Sequence, residues 1–114
     1  ADVIFIYANE VGLGGIQAAA EKGVKFVGFS GDQTTVDPET VVASVNFDFK
    51  VFYTWAVQKF LDGELEGNTV HEAGISEGLF VPIFTDNVSQ EIQNKVADKI
   101  EEYKAGGIDL TALF

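Results

Sequence analysis

The side chains best suited to hold a small polar molecule fall in three short stretches, each at the end of an apolar run. Tyr7 to Glu10 (YANE) follows DVIFI, Ser30 to Gln33 (SGDQ) follows VKFVGF, and Ser44 to Asp48 (SVNFD) follows VVA. Asp32 can accept hydrogen bonds from a hydroxyl-rich ligand, and Asn46 can both donate and accept. Phe5 or Tyr7 offers an aromatic face on which a ring can stack. Ligands of parallel α/β sheets bind beyond the carboxyl ends of the strands, and all three stretches occupy such ends. The same residues have a purely local reading: Asp and Asn favour turns and helix caps, where their side chains bond the nearby backbone. Residue chemistry alone leaves both readings open.

The groups needed for catalysis are scarce. His71 is the only histidine, and with Glu72 beside it on a strand the two side chains would point to opposite faces, so His71 reads as a solvent-facing strand residue. A single histidine with scattered carboxylates gives no metal-ligand spacing. No serine sits in a GxSxG elbow, and the absence of cysteine removes thiol nucleophiles, thiolate metal sites and disulfides. Gly12-Leu13-Gly14-Gly15 invites a dinucleotide-binding reading, since Asp32 follows near the end of the next strand. The spacing fails, because the third glycine of GxGxxG falls on Gln17, and Glu10 puts negative charge where a pyrophosphate would sit. The plainer reading is that these glycines allow a tight turn and a close helix approach.

The positioning elements follow from the hydrophobic pattern. Asp2 to Tyr7 is a short apolar run expected of a buried strand, and Leu13, Ile16 and Ala20 recur at helical spacing over 12–22, closed by Lys22 and Gly23. Val24 to Phe29 repeats the strand pattern, so the first thirty residues predict a βαβ unit with parallel strands. Thr34 to Thr40 reads as a loop broken at Asp37-Pro38, and Val41 to Val45 as a third strand. From Asp48, the residues Phe49, Phe52, Tyr53, Ala56, Val57, Phe60 and Leu61 form a wide apolar stripe that predicts a well-buried helix. Asn68 to Ala73 is a candidate fourth strand, and Leu79 to Phe84 a further extended piece whose Pro82 suits a sheet edge. Val88, Ile92, Val96, Ile100 and Tyr103 predict a last helix, with Asn87 as N-cap and Gln90 as its partner.

Composition bounds the rest. A chain of 114 residues with 46% hydrophobic content is the size of one compact α/β region. Seven basic against 18 acidic residues give a net charge of -11, which repels a polyphosphate backbone and argues against nucleic acid as a partner. No methionine is present, so the chain reads as an excised or processed piece.

Taken in order, ADVIF, the turn GLGG opening a helix with QAAAEKGV, then FVGFSGDQ, then VVASV and a long helix ending in LDGELEG form a series that resembles the basic-membrane-protein family of substrate-binding lipoproteins, which includes purine nucleoside receptors. VGFSGDQ and VVASV are its most specific elements, and the resemblance runs to about Gly78. It implies a periplasmic-binding-protein-like (type I) α/β lobe with a predominantly parallel sheet flanked by helices. Residues 1–114 would be a single region corresponding to the C-terminal part of a two-lobed protein. The resemblance further implies an extracytoplasmic, lipid-anchored protein that is not an enzyme and needs no cofactor. Its partners would be a nucleoside or sugar-like ligand, held in a cleft between lobes, and an ABC transporter permease. By position, Asp32 matches the aspartate associated with ribose hydroxyls and Phe5 the aromatic that stacks on the base. Ser30 stands where the family often has aspartate, Asn46 where it has lysine, and Glu10 where it has a small residue. These five are the candidate ligand-binding residues. Two other classes compete, a dinucleotide-dependent enzyme domain and an interaction or sensor module that lost its site. The piece alone is expected to self-associate.

Overall fold

The computed structural model describes residues 1–8 and 11–109, and seven elements order the chain. They are β1 (Val3–Phe5), α1 (Gly12–Lys22), β2 (Lys25–Ser30), β3 (Val41–Phe47), α2 (Phe49–Leu61), β4 (Phe80–Phe84) and α3 (Gln90–Lys104). The strands form one sheet in the order β1-β2-β3-β4. β1, β2 and β3 are parallel, and β4 closes the edge antiparallel to β3. This is the predicted predominantly parallel α/β fold, with the βαβ unit at its start.

The core lies where α1 returns across the sheet. Ile16 and Ala19 of α1 meet Phe26 and Val41, with Ile4, Ile6 and Val24 packed around them. The approach is close because Gly15 has no side chain: a Cβ there would lie 2.3 Å from Ile6 Cδ1 and 3.1 Å from the Phe26 ring. Gly23 ends the helix at φ 65°, donating its N–H back to Ala19 and Ala20. Pro82 sits on the edge strand opposite Val45, where its missing N–H removes no bond from a central ladder.

Several expectations are corrected. Asn68 to Ala73 forms no strand; Asn68 is left-handed at φ 61° and Asn68 to Glu72 are exposed, so its single apolar run has no sheet to join. His71 is accordingly exposed on a loop, its Nε2 3.2 Å from the Glu66 carbonyl. β1 is shorter than the apolar run that encodes it, and the extended piece at 80–84 is the fourth strand. The cap of α3 is Ser89, whose extended backbone lets Oγ accept from Ile92 N–H, while Asn87 donates to the Pro38 carbonyl 3.0 Å away. Most consequential, α2 has no buried residue, and neither α2 nor α3 packs broadly on the sheet. The stripe on α2 is as read, but helical spacing reports that one face is apolar and not that these residues supply its cover. No helix among the described residues is long and apolar enough to cross a membrane.

Candidate functional site

Parallel pairing brings the carboxyl ends of β1, β2 and β3 to one edge, and the reversed β4 adds its first residue, Phe80, opposite Phe47. Pleating then sorts the side chains. Ser30 pairs with Asn46, and Phe5 pairs with Val27, an odd number of residues from Ser30. Asn46, two residues after Ser44, therefore lies on the α1 face, while Phe5 belongs to the opposite one. Sequence order alone grouped Asn46 with Phe5; the sheet divides them, and only above the strand ends can one ligand reach both.

The loop leaving β2 is the most constrained part of this edge. Ser30 has φ 80°, a left-handed conformation that a non-glycine residue adopts at a cost of order 1 kcal/mol or more. Ser44, fully buried on β3, donates from Oγ to the Gly31 carbonyl at 2.6 Å and accepts from Gln33 N–H at 3.4 Å. Gly28 makes room for this clasp, since a Cβ there would fall within 2.9 Å of both the Gln33 side chain and Ser44 Oγ. Between the clasped residues, Asp32 is exposed. Its Oδ1 accepts from Thr34 N–H at 3.0 Å and from Thr34 Oγ1 at 2.5 Å. The local-turn reading of Asp32 thus describes one of its oxygens, and no described residue donates to the other.

On the opposite face the rings are continuous. Phe29 meets Phe5 edge-on at 6.3 Å, Tyr7 at 4.1 Å and Phe80 at 6.1 Å between ring centroids. Phe80 meets Phe47, which contacts Phe49 and Phe52 at the start of α2. Phe5 is 53% exposed and Tyr7 75%, so the β1 end of this band faces outward and is open to stacking. Asp48 starts α2 by accepting from Val51 N–H at 3.0 Å. Glu10 lies outside the described residues.

Sequence reasoning missed Phe29, Phe80 and Thr34, and named Ser44 only as the start of a polar stretch. A signal existed for Phe29: it lies three residues after Phe26, so on a strand the two must face opposite sides, one in the core and one in the band. Among the described residues no cluster of three or more His, Asp or Glu side chains could hold a metal. The larger grooves lie elsewhere, one of about 430 Å³ along α3 lined by Ile75, Ile92, Val96 and Ile100. We give the strand edge more weight than this groove because it combines polar and aromatic groups, whereas the groove is apolar.

A polar loop is thus clasped at the end of β2, beside exposed rings at the end of β1. The family model described as ABC transporter substrate-binding protein PnrA-like (Bmp) matches residues 1–113. The chain belongs to the Bmp family. Membership therefore extends well past Gly78, where the sequence motifs ended. No curated protein matches the chain. Among solved structures, the Bmp chain is similar to the crystal structure of a transcriptional activator of the comK gene from Bacillus halodurans, with a TM-score of 0.79 and 21% identity. The match covers 96% of the Bmp chain and 39% of the neighbour, so this chain spans well under half of that protein's length. At such identity the likeness concerns the fold alone, and not the activity.

Proposed function

We propose that this Bmp chain corresponds to the C-terminal part of a two-lobed, extracytoplasmic, lipid-anchored substrate-binding protein that delivers a nucleoside or sugar-like ligand to an ABC transporter permease. The reading rests above all on one observation: Asp32, clasped at the carboxyl edge of the sheet, keeps one carboxylate oxygen open in a protein of this family. Among the described residues the open edge has no second wall of its own, which suits a cleft completed by another lobe. Phe5 supplies the stacking ring, Asn46 a polar group on the α1 face, Ser30 a hydroxyl at the end of β2, and Glu10 a carboxylate from the loop after β1. The role is binding and delivery without chemistry, and it calls for no cofactor.

Asp32→Ala tests this in the two-lobed protein, titrated calorimetrically with adenosine, guanosine and D-ribose. Loss of hydrogen bonds to a charged group, roughly 1.5 to 3 kcal/mol each, should weaken the bound ligand about tenfold to a hundredfold in a protein that still folds, with a lowered melting temperature because the two Thr34 donors lose their acceptor. Unchanged affinity would remove Asp32 from the site. A second reading, a module that kept the fold and lost the ligand, draws on Ser30 and Asn46 standing where the family has aspartate and lysine. It wins if none of these compounds binds. With its apolar surfaces uncovered, the 114-residue chain by itself is expected to associate with further copies.

A further inference from the structure

We infer that Thr34 is the positioning residue of this site, taking one oxygen of Asp32 and leaving Oδ2 as the single acceptor offered to a ligand. The inference rests on the proposed function above. Thr34 is itself buried, and it bonds Asp32 Oδ1 twice, through its backbone N–H at 3.0 Å and its hydroxyl at 2.5 Å. Just before it, Gln33 N–H is held by the buried Ser44 hydroxyl, which also grips the Gly31 carbonyl. Asp32 is therefore fixed from below by the loop and from within by Thr34, and its carboxylate is not free to rotate about its terminal torsion without losing two bonds.

The chemical consequence is selectivity between hydroxyls. A freely turning carboxylate meets a vicinal diol with both oxygens, one for each hydroxyl, as in other paired two-oxygen contacts. With Oδ1 already saturated, the carboxylate presents one oxygen, so a single hydroxyl of the pair carries the contact. Thr34→Val keeps the side-chain shape and removes the hydroxyl donor. Thr34→Ser keeps the donor and removes only a methyl group.

Two measurements on the two-lobed protein test this. The first needs no ligand: three-bond couplings and side-chain carboxyl shifts of Asp32, read by NMR in the free protein. We expect one Asp32 rotamer in the wild type and in Thr34→Ser, and averaging in Thr34→Val. Averaging already present in the wild type overturns the inference. The second is titration with adenosine, 2′-deoxyadenosine and 3′-deoxyadenosine. In the wild type one deoxy compound should bind about tenfold more weakly than adenosine, the equivalent of one lost charge-assisted hydrogen bond, and the other nearly as well. In Thr34→Val the two penalties should converge, and Thr34→Ser should restore the difference at an unchanged melting temperature. Equal penalties in the wild type, or a Thr34→Val protein with wild-type discrimination, overturn the inference. If Thr34→Val does not fold, Thr34→Ala takes its place with the same expectations. A single Asp32 rotamer in a wild type that binds no nucleoside supports the hold of Thr34 on Asp32 and sinks the proposed function instead.

Discussion

The two faces of the sheet were built by the same strands and ended differently. On the α1 face Phe26 and Val41 are wholly buried against Ile16 and Ala19. On the other, Val27, Phe29, Val45, Phe47, Phe80 and Phe84 are half-buried, and Val3, Phe5 and Tyr7 are exposed. Hydrophobicity does not separate them, since the second face carries more aromatic carbon. The difference is cover. α1 follows β1 closely, and Gly15 and Ala19 let it press onto the sheet, whereas α2 leads away with its own stripe uncovered. The radius of gyration, 16.5 Å, exceeds the roughly 13 Å of a compact chain this long. A core is thus a relation between an apolar face and its partner, and one strand can supply both a core residue and a surface band.

The sharpest way to break the comparison is to truncate one phenylalanine on each face of β2. Phe26→Ala removes a fully buried ring and should cost about 3 to 5 kcal/mol in urea unfolding. Phe29→Ala removes a ring that is only half-buried and should cost about 1 to 2 kcal/mol, in proportion to the apolar area withdrawn from water. Equal losses would mean that the aromatic band is a second core.

Gly28→Ala sharpens it on the side of the site. The added methyl would fall 2.6 Å from Gln33 Oε1 and 2.9 Å from Ser44 Oγ, so the loop carrying Asp32 must lift. Overpacking of this kind should cost about 1 to 3 kcal/mol and also weaken ligand binding. Gly31→Ala is its control, because no atom lies within 4 Å of the added group there. A Gly28→Ala protein as stable as the wild type would show that the clasp is loose.

The uncovered surfaces predict behaviour in solution more than a change in stability. Light scattering on the 114-residue chain should give a mass above the 12.3 kDa of one copy. Tyr53→Ser with Phe60→Ser, both on the exposed stripe of α2, should lower it without moving the unfolding midpoint, as expected of surface substitutions. A cooperative monomer at 12.3 kDa in the unmodified chain would show that the half-open face is sufficient by itself.

What could be read from the sequence follows from where each signal is local. The βαβ unit was legible because an apolar run, a helical period and a cationic last turn with glycine each act over a few residues. Pro82 similarly announced an edge. The burial of α2 was not legible, because periodicity carries no information on what lies opposite. Asn87 and Ser89 are both good caps, and the choice between them depends on backbone angles and on the Pro38 carbonyl far away in sequence. Of the candidate site, Asp32, Asn46 and a Phe5 or Tyr7 ring declared themselves by type, and the resemblance narrowed the ring to Phe5. The role of Ser44 was not legible because its partners Gly31 and Gln33 are brought near only by the register of β2 on β3, and Thr34 was missed because the loop reading gave its hydroxyl no partner.

The smallest effect should come from the ion pairs on the helices outside the core. Lys59, in the last turn of α2, bonds the Glu64 carboxylate, and that hydrogen bond, then the attraction between the charges, raises the ammonium above the ordinary value of 10.5. A base whose folded-state value is raised stabilises the fold fully below the unfolded value and loses that contribution as pH rises through the folded one. The pair should therefore add no slope to stability between about pH 6 and 9, and its contribution should fade only in the alkaline range above. Both side chains are substantially exposed, so water and salt screen the attraction even where it is fully present. Lys59→Met should leave the urea midpoint at neutral pH and about 0.15 M salt unmoved within error, in contrast to Phe26→Ala. A clear fall in that midpoint would show that the turn after α2 helps to hold the helix in place, and the division between a covered, stabilising face and an uncovered periphery would have to be redrawn.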